Sequence, residues 1–130
     1  MNKAFKWKVS LYAMCALYVG AGINHFINPN FYLGVMPIWL PFPEFNNLSS
    51  GVAEIILGLL LITSSIRRIS AWLIIAMLVV FFFVIHIPMC FQNYGKDTTL
   101  FWIAIIRLPL QVVLINWAWK FAKRRKKSTQ

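Results

Sequence analysis

Acidic residues are nearly missing from this sequence: 130 residues contain three, Glu44, Glu54 and Asp97, against thirteen lysines and arginines. Charged residues of both signs make up only 12%, about half the share of an ordinary soluble domain, so a soluble domain is excluded. Cysteine is scarce as well. Cys15 and Cys90 form no Cys-x-x-Cys and fall at different depths of the hydrophobic runs described below. A disulfide, which needs Cα atoms within about 7 Å, and vicinal-dithiol exchange are therefore both disfavoured. Two histidines are too few for a zinc site, which takes three or four ligands. No Gly-rich phosphate loop, nucleophile elbow or His-Glu-x-x-His is present. Neither a catalytic residue nor a metal ligand is assigned.

What the chain has is hydrocarbon, at 60% hydrophobic residues. Residues 9–27, 48–65, 69–91 and 100–119 form four apolar runs, each long enough at about 1.5 Å per residue to cross a core of roughly 30 Å. The fold class this predicts is all-α, a transmembrane four-helix bundle, with one domain over residues 1–121 and a basic tail over 122–130. Eleven of the thirteen cations then fall on one side: Lys3, Lys6 and Lys8, Arg67 and Arg68, and Lys120 with residues 123–127. By the positive-inside rule both termini are cytoplasmic. The basic tail reads as a topology anchor drawn to anionic lipid head groups, not as a nucleic-acid site. Run one is long for a signal h-region and lacks a small-x-small site before Asn24 and His25, so it is expected to be retained.

In run one, Ala16 and Gly20, and Tyr18 and Gly22, stand four apart, a spacing that lets helices approach closely in lipid. Residues 30–47 hold Pro37, Pro41 and Pro43, which break any long helix, and five aromatics that suit a membrane interface. They predict a kinked interfacial segment between helices 1 and 2, either an anchor or a lid. Run two is expected to start near Asn47 or Ser49, capped by those side chains. Within it Gly51, Glu54 and Gly58 share one face. Pro88 in run three and Pro109 in run four free the carbonyls of Val84 and Ile105.

Run four carries Arg107, with Gln111 on the same stripe. A lone arginine in hydrocarbon costs about 2.5 to 3.5 kcal/mol on the most lenient scale, so it needs a partner or a wet cavity. Glu54 is the only acid inside another run. With His25 and His86 these residues fall within about the first 3 to 11 Å from the outer ends of the runs. The network predicted is His25, Glu54, His86, Arg107 and Gln111. Two readings of its centre stand: a buried Glu54–Arg107 ion pair that fixes helix register without chemistry, or a polar pocket that binds a head group or relays a proton. For His86 a back-bond to a local carbonyl is the plain alternative.

The blocks Gly22-Ile23-Asn24-His25-Phe26, Asn28-Pro29-x-Phe31-Tyr32, Met36-Pro37 and Leu40-Pro41 resemble the first half of DoxX-like small membrane proteins. Ser50-Gly51-Val52-Ala53-Glu54, Arg67-Arg68, Ile87-Pro88-Met89, Arg107-Leu108-Pro109-Leu110-Gln111 and Trp117-Ala118-Trp119 resemble its later blocks. The resemblance implies a four-helix bacterial membrane protein linked to redox or maturation complexes, and it carries over to His25, Glu54 and Arg107. The chain lacks the paired cysteines of the dithiol-linked relatives. A quinone is the leading candidate ligand, because its carbonyls suit Arg and His donors. The corresponding function is an accessory subunit of a membrane oxidoreductase. The alternative is a non-enzymatic assembly or scaffold protein, as a homodimer or beside another membrane protein, and a small proton-coupled transporter ranks third.

Overall fold

Asn2 opens the first helix by accepting the Phe5 N–H on its side chain at 2.8 Å, which satisfies one of the donors a helix start leaves free. The computed structural model describes residues 2–123; of the basic tail, residues 124–130 lie outside the described part. Among the described residues the chain is helical and has no strand. The helices are α1 (Lys3–Ile27), α2 (Pro29–Val35), α3 (Pro43–Leu60), α4 (Arg67–Phe81), α5 (Ile87–Asn93) and α6 (Thr98–Ala122), with a π-helical turn, Phe82–His86, joining α4 to α5. Among the described residues three helical stretches are long and apolar enough to cross a membrane: Lys3–Ile27, Arg67–Asn93 and Thr98–Ala122.

The second run is where the structure departs from the expected boundaries. Helix α3 begins at Pro43, four residues before Asn47, and ends at Leu60. Proline suits the first helical turn, where its missing N–H is not needed, and Phe42 ahead of it turns the chain with a φ of 53°. Asn47 and Ser49 are therefore inside the helix and do not cap it. Ser49 Oγ bonds back to the Asn46 carbonyl, and Asn47 is buried. The early start brings Glu44, Asn46 and Asn47 into the helix, and α3 is not among the three stretches named above.

Residues 30–47 are kinked as the prolines require. Helix α2 stops at Val35, a short turn follows in which Leu40 N–H meets the Pro37 carbonyl, and Ile38, Trp39, Phe42 and Phe45 project outward. Pro88 acts on the helix before it. With no N–H to offer Val84, the helix widens, and the Ile87 N–H bonds five residues back to the Phe82 carbonyl. Such π turns concentrate at functional sites.

Close packing joins α1 to α3 as an antiparallel pair. A Cβ on Gly22 would stand 2.6 Å from the Gly51 carbonyl oxygen, and one on Gly58 would press the Tyr18 Cβ at 3.1 Å. Helices α4 and α6 form the second pair. The basic ends meet at one end of the molecule. There Arg67 donates to the Leu61 and Ile62 carbonyls while lying over Trp7, and Arg68 donates to the Ala122 carbonyl. Trp117 Nε1 donates to Ser10 Oγ, and Ser70 Oγ to the Leu57 carbonyl. Next to this end lies an apolar core of Leu11, Met14, Cys15, Leu61, Ala71, Ile74, Ala118 and Phe121. A second cluster holds Val35, Met89, Cys90 and Ala104. Both cysteines are free and buried, in separate clusters.

Candidate functional site

The glycine contact between α1 and α3 sets the site. Gly51 has no side chain, so the His25 Cβ lies directly against it, 2.8 Å from where a Cβ would be. The imidazole above Gly51 then spans one helical turn of α3 in each direction. Its Nδ1 is 2.7 Å from Asn47 Oδ1, and its Nε2 is 3.2 Å from Glu54 Oε2. Asn47 also donates from Nδ2 to the backbone carbonyl of His25, at 3.1 Å. All three side chains are buried.

A short helix covers this cluster. Tyr32 of α2 stacks on the His25 ring, with centroids 3.8 Å apart and planes 18° from parallel. Its hydroxyl accepts from Asn24 Nδ2 at 2.7 Å, and Asn28 Nδ2 donates in turn to Asn24 Oδ1. Phe31, next to Tyr32, lies under the Arg107 guanidinium, 5.3 Å from Cζ to the ring centroid. Helix α2 thus touches both helix pairs through two adjacent aromatics.

Glu54 and Arg107 do not form the ion pair expected from the sequence. Among the described residues the salt bridge of Glu54 is with His25, and Arg107 takes an aromatic face. The reason is geometric. His25 and Glu54 sit on helices drawn together by glycines, while α2 places Phe31 in front of Arg107. A cation–π contact of this kind is worth about 0.5 to 2 kcal/mol.

The two helix pairs do not close on one another above the basic end. They leave a cavity of about 580 Å³, within the range of about 300 to 1,000 Å³ usual for small-molecule sites. His25, Glu54, His86, Arg107 and Gln111 all line it, together with Tyr18, Tyr32 and many apolar side chains. Gln111 is held by a 2.9 Å bond from Nε2 to the Leu78 carbonyl, just before the π turn. His86 ends that turn with Nδ1 unbonded, so the back-bond to a local carbonyl is not made there.

Three buried polar atoms lack a hydrogen-bond partner among the described residues: Tyr18 Oη, Glu54 Oε2 and His86 Nδ1. All three belong to side chains that line the cavity. Glu54 Oε2 stands 3.2 Å from His25 Nε2 as an ion-pair contact and has no hydrogen-bond partner among the described residues. Buried polar groups are almost always paired, so three exceptions around one space are informative.

Asn47, Tyr18 and Tyr32 are the members that sequence reasoning did not include. Asn47 was concealed by the expected helix start. With Pro43 as the first helical residue, Asn47, Gly51, Glu54 and Gly58 fall on one stripe at intervals of four, three and four. Tyr18 shares the stripe of Gly22 and His25, and its spacing was read only as close helix packing.

A family model described as Domain of unknown function (DUF8561) matches residues 14–122, so the chain belongs to that family. Neither the curated proteins nor the solved structures contain a match.

Proposed function

We propose that this DUF8561 member is a multi-pass protein of the bacterial cytoplasmic membrane, DoxX-like in kind, and a non-catalytic accessory subunit of a redox complex. Its cavity holds a quinone or a comparable small polar-headed amphiphile. The observation that carries this reading is the convergence on one mostly apolar cavity of three buried polar atoms that make no hydrogen bond among the described residues. A ligand with oxygen atoms at one end and a hydrocarbon body fits both halves of that description. Arg107 supplies the cation at the rim, and Tyr32 with Phe31 supplies ring faces.

The four-helix transmembrane bundle is part of the same proposal. Helix α3 has 18 residues and is about 27 Å long, close to the thickness of the hydrocarbon core. Its one deep acid has His25 beside it. The basic cluster at the end where α1 begins and α6 finishes supports cytoplasmic termini. The outward Ile38, Trp39 and Phe42 suit the opposite interface.

The test is titration of the protein in nanodiscs with ubiquinone-1, read by quenching of tryptophan fluorescence. Arg107→Ala is expected to weaken binding at least tenfold with helical circular dichroism unchanged. Equal affinity in the variant removes the proposal. For the scaffold alternative, among the described residues the ion pair of Glu54 is with His25 and not with Arg107, while its small-residue stripes are unaffected by that contact.

A further inference from the structure

The hydrogen bonds around His25 determine how many protons the site holds. A helix carbonyl can only accept, so the Asn47 atom 3.1 Å from the His25 carbonyl oxygen is the amide nitrogen. Flipping the amide would set two oxygens against each other. Asn47 Oδ1 is therefore the atom 2.7 Å from His25 Nδ1, and an oxygen there requires Nδ1 to carry a hydrogen. In a neutral imidazole with Nδ1–H, the other nitrogen presents a lone pair. That nitrogen, Nε2, faces Glu54 Oε2 at 3.2 Å. An ionised carboxylate against a lone pair is repulsive, and Glu54 Oε2 has no hydrogen-bond donor among the described residues to offset it.

We infer that His25 and Glu54 form a one-proton site on the wall of the cavity, with Asn47 as the positioning residue that fixes the His25 tautomer. The proton rests either on Nε2, as imidazolium beside carboxylate, or on Glu54, as a neutral carboxyl beside neutral imidazole. Both forms leave the pair with no net charge, which suits its depth. The titratable and charged groups that share the cavity with the pair are Tyr18, Tyr32, His86 and Arg107. Because His25 and Glu54 both line the cavity, the site also faces it. What it offers a ligand is a hydrogen-bond donor, and the ligand chemistry it takes is an oxygen acceptor such as a carbonyl. That last step rests on the cavity reading above, whereas the proton count does not.

The experiment uses ligand-free full-length protein in nanodiscs. Nitrogen-15 NMR of labelled histidine reports which ring nitrogens of His25 are protonated, with assignment by loss of signal in His25→Gln. Infrared spectroscopy with carbon-13 glutamate in a Glu44→Gln background isolates Glu54, since Glu44 is the other glutamate in the chain. The expected result near neutral pH is either a doubly protonated His25 with ionised Glu54, or an Nδ1–H His25 with protonated Glu54. A bare Nδ1, an Nδ1–H ring beside ionised Glu54, or a doubly protonated ring beside a protonated carboxyl each overturns the inference. Asn47→Leu, or Asn47→Ser should the first not fold, is expected to let the Nε2–H form appear at unchanged helix content. An unaltered tautomer in the variant removes the role given to Asn47. These spectra read the same whether or not ubiquinone-1 binds, so the two proposals fail separately.

Discussion

Replacing Gly22 by alanine adds one carbon, and the structure predicts an effect well beyond one carbon. The new Cβ would lie 2.6 Å from the Gly51 carbonyl oxygen, 2.6 Å from Ile55 Cγ1 and 3.0 Å from the Ile55 nitrogen. Two of these three neighbours are backbone, which has no rotamer to move to. Restoring ordinary contact at 3.4 Å means parting α1 and α3 by roughly 0.8 Å. Overpacking of this kind costs about 1 to 3 kcal/mol, while glycine to alanine inside a helix returns about 0.5 to 1 kcal/mol. Gly20 provides the control. It is on the same helix, exposed, with nothing within 4 Å of an added Cβ, so Gly20→Ala keeps the helix gain alone. The two variants should therefore differ by about 1 to 3 kcal/mol, with Gly22→Ala the less stable. Thermal or SDS unfolding in detergent, followed by tryptophan emission, measures the difference. The displacement should also break the 2.7 Å and 3.2 Å contacts of His25, visible as a change in its NMR signals. Equal stability of the two alanine variants would refute the close-packing argument and the placement of His25 that depends on it.

Four further outcomes are expected. Asn47→Leu nearly keeps the side-chain shape but removes both the oxygen that faces His25 Nδ1 and the donor to the His25 carbonyl, a loss of about 1 to 3 kcal/mol by the same unfolding measurement, whichever ring nitrogen then carries the proton. Arg67→Lys keeps the charge yet loses the fork that holds the Leu61 and Ile62 carbonyls at the end of α3; the variant should unfold at lower SDS than wild type, and unchanged unfolding would show that charge alone matters there. Exchanging the charges, Glu54→Arg with Arg107→Glu, should not recover the expression lost by either single change, because the two residues do not pair; recovery would restore the scaffold reading. For orientation, Lys96→Cys should react with an impermeant maleimide in whole cells and Lys3→Cys only after permeabilisation, and the reverse pattern would overturn cytoplasmic termini.

Much of the outline was legible in sequence because membrane insertion is governed by composition over long windows. Runs 9–27, 69–91 and 100–119 correspond to helical stretches, and Pro37 and Pro41 broke the chain where they stand. The start of α3 was not legible, since Pro43 after two other prolines looks like one more breaker until its place in the first turn is known. From that single shift followed the misreading of Asn47 as a cap. The partner of Glu54 was likewise out of reach. Charge counting offered Arg107 as the natural choice, whereas a histidine carries no formal charge in such a count.

The sequence by itself determined that this chain is helical, avoids charge over long stretches and gathers its cations at the ends of its hydrophobic runs. It also determined which few polar residues had to be accounted for in the apolar interior. Only the tertiary structure decided how they combine. Glycine contacts between α1 and α3 place His25 between Asn47 and Glu54, and α2 folds back to give Arg107 an aromatic ring in place of an acid. Spacing along one chain specifies a face of a helix, and which faces meet depends on side-chain volumes at the contact, a property of pairs of helices that no single run contains.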